Sequence, residues 1–90
     1  MAQFHCRIRI GLPPGMDPEV RADYLERDRL HLAGLRENGA LVHDWRAAGE
    51  QLEFLVLESA DSGELHELLA GRPLFPFLRV EVTALRSPVL

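Results

Sequence analysis

Between residues 4 and 12 the apolar side chains of Phe4, Cys6, Ile8, Ile10 and Leu12 alternate with Gln3, His5, Arg7, Arg9 and Gly11. A period of two sends successive side chains to opposite faces of an extended chain, so this run commits the protein to a sheet with one buried face. Residues 77–85 repeat the pattern, with Leu78, Val80, Val82 and Ala84 set against Arg79, Glu81 and Thr83. In residues 52–58, Leu52, Phe54 and Val56 share one face, yet Leu55 and Leu57 make the other face apolar as well. A sheet with apolar residues on both faces predicts a cover on each, and a second subunit is the expected cover for the face without helices.

The segments between these runs carry helix signals. Pro13-Pro14-Gly15 ends the first strand, and Asp17-Pro18-Glu19 supplies a capping side chain, a proline at the first helical position and an acid near the positive helix end. This predicts a helix reaching to about Asn38, where Asn38-Gly39 stops it. Residues 41–48 pair with residues 52–58 as a hairpin around Ala48-Gly49-Glu50-Gln51. A short helix starts near Ser62, carries Leu65, Leu68 and Leu69, and ends at Gly71-Arg72-Pro73. The order is β-α-β-β-α-β: an α+β, ferredoxin-like unit with two helices on one face of a four-stranded antiparallel sheet, forming one domain over residues 1–90.

Ninety residues bury only roughly 60% of the surface the unfolded chain exposes, so a homo-oligomer is expected. The net charge of −4 repels nucleic acid and anionic membrane, and neither is an expected partner. All ten basic residues are arginine, which excludes Schiff-base and lysine-base chemistry. Cys6 has no partner for an internal disulfide, and no N-terminal apolar run marks a leader or span; the expected location is the cytoplasm. The four His and one Cys lack the short spacings of a zinc site, so no metal or other cofactor is expected.

On a helical wheel the first helix gathers Val20, Tyr24, Leu25, Leu32 and Leu35 on an apolar arc that also holds Asp28 and His31. Asp23, Glu26 and Glu37 fall on the opposite, solvated face. A carboxylate facing the sheet is costly unless it is paired or used. Asp28 is therefore either a rim residue paired with Arg21 or a desolvated acid-base group. Arg46 has two readings as well, a strand arginine paired with Glu53 or Glu58, or a cation facing a substrate anion.

Several motifs carry a resemblance. Pro73-Leu74-Phe75-Pro76-Phe77, with Leu65-His66-Glu67-Leu68-Leu69 before it and Val80-Glu81-Val82 after it, resembles the C-terminal signature of the muconolactone delta-isomerases. Phe4-His5, Leu12-Pro13, Met16-Asp17-Pro18, Gly39, His43, Trp45-Arg46 and Gly49 fall in register with the same family without a gap. The resemblance covers nearly the whole chain. It implies the ferredoxin-like fold, sheet-to-sheet pairing as in dimeric α+β barrels, and assembly as a homodecamer. It also implies a cofactor-independent isomerase that takes a proton from a carbon conjugated with a lactone carbonyl and returns it to another carbon.

Asp28 occupies the position of the family's acid-base glutamate, and Arg46 is retained. Gln51 and Glu53 stand where the family has a tyrosine and an asparagine that help bind the lactone. Glu53 adds negative charge where an anionic substrate binds, and Asp28 retracts the carboxylate by about 1 Å. The terminus Ser87-Pro88-Val89-Leu90 is shorter than the family's polar tail, so closure of the site is expected to differ. The expected catalytic residues are Asp28, His31 and Arg46, and the expected substrate-binding residues are Tyr24, His43, Trp45, Gln51, Glu53, Phe75 and Phe77. The substrate class is a small unsaturated lactone or related ring, either muconolactone or a natural-product intermediate. The alternatives are a cyclase or cofactor-free monooxygenase acting on an aromatic polyketide, and a non-catalytic ligand-binding oligomer.

Overall fold

The computed structural model describes residues 1–86; the terminal Ser87-Pro88-Val89-Leu90 tail lies outside the described residues. The elements run β1 (Ala2–Ile10), α1 (Pro18–Glu37), β2 (Leu41–Arg46), β3 (Leu52–Ser59), α2 (Ser62–Ala70), a single 3-10 turn (Phe75–Phe77) and β4 (Leu78–Leu85). The antiparallel sheet has the order β2-β3-β1-β4. This is the ferredoxin-like arrangement that the alternation of β1 and the order of elements predict.

Register decides what is buried. Phe4 pairs with Leu57, Cys6 with Leu55 and Ile8 with Glu53, so Glu53 lies on the helix-covered face with the apolar side chains of β1 and β3. Cys6, Ile8, Leu55 and Leu57 are fully buried, joined by Leu32 and Leu35 of α1 and Leu65 and Leu69 of α2. Each such aliphatic side chain contributes about 1.5–3 kcal/mol of transfer free energy. Phe54 and Val56, on the other face, are only half-buried.

Local chemistry sets the element ends. The Asp17 carboxylate accepts from the Glu19 and Val20 amides at 2.9 and 3.3 Å, and the Asp61 carboxylate accepts from the Glu64 amide at 2.9 Å. These bonds satisfy amides that have no partner inside the helix. Gly39 stops the chain after α1 at φ 83°, a conformation that a Cβ disfavours.

Two boundaries, one register and one face differ from expectation. β2 ends at Arg46 rather than residue 48, and its register shifts between Leu41 and His43, where one extra residue interrupts the ladder. Phe77 belongs to the 3-10 turn instead of β4, because Pro76 fixes the backbone there and withholds an amide from the ladder. The apolar arc of α1 is narrower than its periodicity predicts. Only Asp28, Leu32 and Leu35 are buried, while Val20 and Leu25 stay 47% and 41% exposed. α1 packs mainly along β2, so only its second half gains a cover.

Candidate active site

Asp28 and Glu53 reach the core by the phase of their elements. Asp28 lies one helical turn before Leu32 and two before Leu35, so burying those leucines buries it too; it is 4% exposed. Glu53 is two and four residues before Leu55 and Leu57, on the same strand face, and is 0% exposed. Two desolvated carboxylates would unfold so small a domain if nothing compensated them.

The compensation is Arg72, which the sequence presents only as part of a helix stop. Its Nε and Nη2 donate to the two oxygens of Asp28 at 3.0 and 2.7 Å, and its Nη1 donates to Glu53 Oε1 at 2.6 Å. A further contact joins Nη2 to Glu53 Oε2 at 3.4 Å, and the Leu74 amide donates to Asp28 Oδ1 at 3.4 Å. Burial by itself would depress the guanidinium's pKa; the hydrogen bonds and charges of Asp28 and Glu53 outweigh it and hold Arg72 above its ordinary range. The expected partner of Asp28, Arg21, is thereby corrected. Arg72 outcompetes it because a planar fork meets a carboxylate through two parallel bonds. The sequence did hold a signal for this: an arginine set between Leu69 and Leu74 lies in an apolar stretch, downstream of one inward carboxylate, Asp28, that requires a cation.

Arg46 closes the cluster on its outer side. Opposite Glu53 in the β2–β3 ladder, it brings Nη2 to 3.1 Å from Glu53 Oε2, although its own side chain remains 58% exposed. Asp44 approaches Arg46 Nε at 3.6 Å and Arg36 at 3.7 Å. Asp44 Oδ1 is buried and accepts no hydrogen bond among the described residues. Arg29, Leu32, Ala33, Arg36, Leu41, Asp44 and Arg46 line a cleft of about 190 Å³. Arg46 is thus shared between a buried carboxylate and an open, arginine-lined cleft.

The other expected site residues are dispersed. Tyr24 meets Phe77 edge-on, with ring centroids 5.4 Å apart, tying α1 to the proline-rich turn. His31 packs on Gly71, where an added Cβ would come within 3.3 Å of its Cε1, and its Nε2 is buried without a partner among the described residues. Phe75 lines an apolar groove of about 420 Å³ beside α2 and β4, together with His66 and Val82. Gln51 borders a notch of about 100 Å³ with Arg21. His43 and Trp45 stack at 5.0 Å and alternate with Asp44 and Arg46, which puts them on the face of the sheet away from Arg72. Within one chain, the structure brings together Asp28, Glu53 and Arg46 and leaves the rest apart. Among the described residues, no three of His, Cys, Asp and Glu converge as metal ligands.

A two-helix, four-stranded ferredoxin-like unit whose one anion-lined core opens through an arginine onto a small cleft defines a class of compact α+β proteins suited to acid-base work on small molecules. Residues 2–88 match the sequence model of the muconolactone delta-isomerases, and the chain belongs to that family. It is 33% identical to muconolactone delta-isomerase 1 of Acinetobacter lwoffii, over 91% of this chain and 85% of that protein. With the muconolactone delta-isomerase of Rhodococcus opacus it shares 31% identity over 94% of this chain and 91% of that one. A crystal structure of muconolactone isomerase superposes with a TM-score of 0.88 at 31% identity, covering 96% of this chain and 91% of the other.

Proposed function

We propose that this protein is an isomerase that moves a proton, and with it a ring double bond, in a small unsaturated lactone of the muconolactone type. Family membership supports the reaction class over the cyclase, oxygenase and non-catalytic readings. The observation that carries the reading for this chain is the position of Arg46, which lines the cleft and touches the buried carboxylate centre at once. Abstraction of a proton conjugated with a carbonyl needs a desolvated base beside a cation that receives developing negative charge. The carboxylates held by Arg72 and the guanidinium of Arg46 are those groups, and neither a metal nor a cofactor is required for the step.

In this reading Asp28 and Glu53, joined through Arg72, make up the carboxylate centre, and Arg46 and Arg36 receive the substrate's negative charge. The volume of the cleft restricts the ligand to a small ring. A homo-oligomer is proposed as well, supported by the outer sheet face, where Trp45 is 59% exposed beside half-buried Phe54 and Val56. Assembly through that face is compatible with a neighbouring chain completing the site.

The test is direct assay of the purified protein with muconolactone and related unsaturated lactones in deuterated water. Conversion of a lactone to the isomer with its ring double bond shifted supports the reading, and the deuterium content of the reprotonated carbon reports how far the carried proton exchanges with solvent. Absence of conversion for every lactone offered sinks it.

A further inference from the structure

The two buried carboxylates are not equivalent, and the difference assigns them separate roles. Both Asp28 oxygens accept from Arg72, at 3.0 and 2.7 Å, and Oδ1 also faces the Leu74 amide. Neither carboxylate lines the cleft itself; Glu53 reaches it through Arg46, whereas the cation on Asp28 is the fully buried Arg72. A carboxylate whose two oxygens are both tightly held by a buried guanidinium is poorly placed to accept a proton from carbon. Arg72 holds the two oxygens of Glu53 unequally. Its Oε1 accepts from Arg72 at 2.6 Å, whereas Oε2 stands 3.4 Å from Arg72 and 3.1 Å from Arg46. Of the two cations near Oε2, the nearer is therefore the exposed arginine that also lines the cleft.

Building on the isomerase reading, we infer that Glu53 is the proton-carrying base and Arg46 its gate: a ligand carboxylate in the cleft draws Arg46 away from Glu53 Oε2 and thereby uncovers that oxygen. Arg46 has somewhere to turn. It is exposed, its approach to Asp44 is loose at 3.6 Å, and Arg36 on the opposite wall adds a second positive charge for the same ligand. Oε2 without Arg46 is a desolvated carboxylate oxygen and a stronger base than before, since a cation that favoured its charged form has left. In the reaction the C–H bond conjugated with the lactone carbonyl breaks and its electron pair enters the dienolate. The proton forms an O–H bond at Glu53 Oε2 and is then returned to the second carbon, closing the cycle with no oxidant, reductant or co-reactant. Asp28 acts as a positioning residue, keeping Arg72 in place so that Glu53 Oε1 stays fixed while Oε2 works.

Binding and turnover test the two parts separately. The probe for binding is a saturated butyrolactone acetate, which carries the carboxylate but has no double bond to shift, titrated calorimetrically into the wild-type protein and into Arg46→Gln and Glu53→Gln. If ligand and Glu53 compete for Arg46, Glu53→Gln binds the probe at least about tenfold more tightly and Arg46→Gln at least about tenfold more weakly than wild type. Equal or weaker binding by Glu53→Gln, or unchanged binding by Arg46→Gln, overturns the gate. Glu53→Gln leaves Arg72 paired with Asp28, so its folding is checked by circular dichroism, and Glu53→Asp serves as the conservative control.

For turnover of muconolactone, Glu53→Gln is expected to lose about a hundredfold or more in kcat while KM falls, and Glu53→Asp to recover part of the rate. Retention of more than about a tenth of wild-type kcat by a folded Glu53→Gln protein overturns the base assignment. A wild-type protein that converts no lactone overturns the isomerase reading and the base role with it, while the calorimetric comparison still decides the exchange of Arg46.

Discussion

Arg72 and Asp28, 44 residues apart in sequence, meet through two parallel hydrogen bonds of 3.0 and 2.7 Å in a region that excludes solvent from both. The pair fastens the turn after α2 to the middle of α1, and Glu53 extends it to the sheet. One guanidinium thus ties α1 and β3 to the turn after α2.

Removing that guanidinium leaves two buried carboxylates without their shared cation. Arg72→Met is expected to lose about 3–5 kcal/mol of stability, enough to threaten folding of a domain this small. Replacing the whole group, as Asp28→Leu, Glu53→Leu and Arg72→Met together, is expected to restore most of that loss while abolishing turnover. Urea denaturation of both proteins checks the order.

Asp28→Asn keeps the shape of the side chain and Arg72 retains Glu53, so the expected loss is smaller, about 1–3 kcal/mol. Turnover falls by roughly tenfold or more, because Arg72 then belongs wholly to Glu53 and weakens it as a base. Paired melting and rate measurements separate the two effects, and a fully active Asn variant would remove Asp28 from the site.

Exposed charges in the cleft are screened by salt, whereas the Arg72 contacts are not. Raising ionic strength from about 0.01 to about 0.5 M is therefore expected to raise KM for an anionic lactone several-fold with little change in melting temperature.

Burial pushes the Cys6 thiol up to about 11 against 9.0 for a free thiol, an effect that nearby Arg72 partly opposes. The folded protein holds that proton after the unfolded chain has lost it, so stability is unaffected below pH 9.0 and declines as pH rises toward about 11. Alkylation of the native protein near neutral pH should be slow and limited by unfolding, and Cys6→Ala should remove the alkaline decline. Rapid labelling under native conditions would contradict the burial.

Much of the architecture is legible residue by residue. The alternation of Phe4, Cys6 and Ile8, the Asp17-Pro18-Glu19 cap and the Asn38-Gly39 stop each depend on neighbours within a few positions, and each appears in the structure where local chemistry puts it. The inward phase of Asp28 was readable for the same reason, since Leu32 and Leu35 fix the buried side of α1. Trp45 and His43 could be put on a strand but not on a particular side of the core, because the extra residue near Val42 resets the count along β2.

The sequence by itself determined the order of elements, the buried side of β1 and the presence of an acid on the inner face of α1, because backbone periodicity and capping are short-range; which side of β3 faces the helices was decided by the register that buries Glu53, Leu55 and Leu57. Only the tertiary structure decided that Arg72 would neutralise Asp28 and Glu53, and that Arg46 would stand between Glu53 and the cleft. Those choices depend on the separation and angle of groups many residues apart, where a difference of an ångström or two distinguishes a two-pronged ion pair from a solvated surface charge.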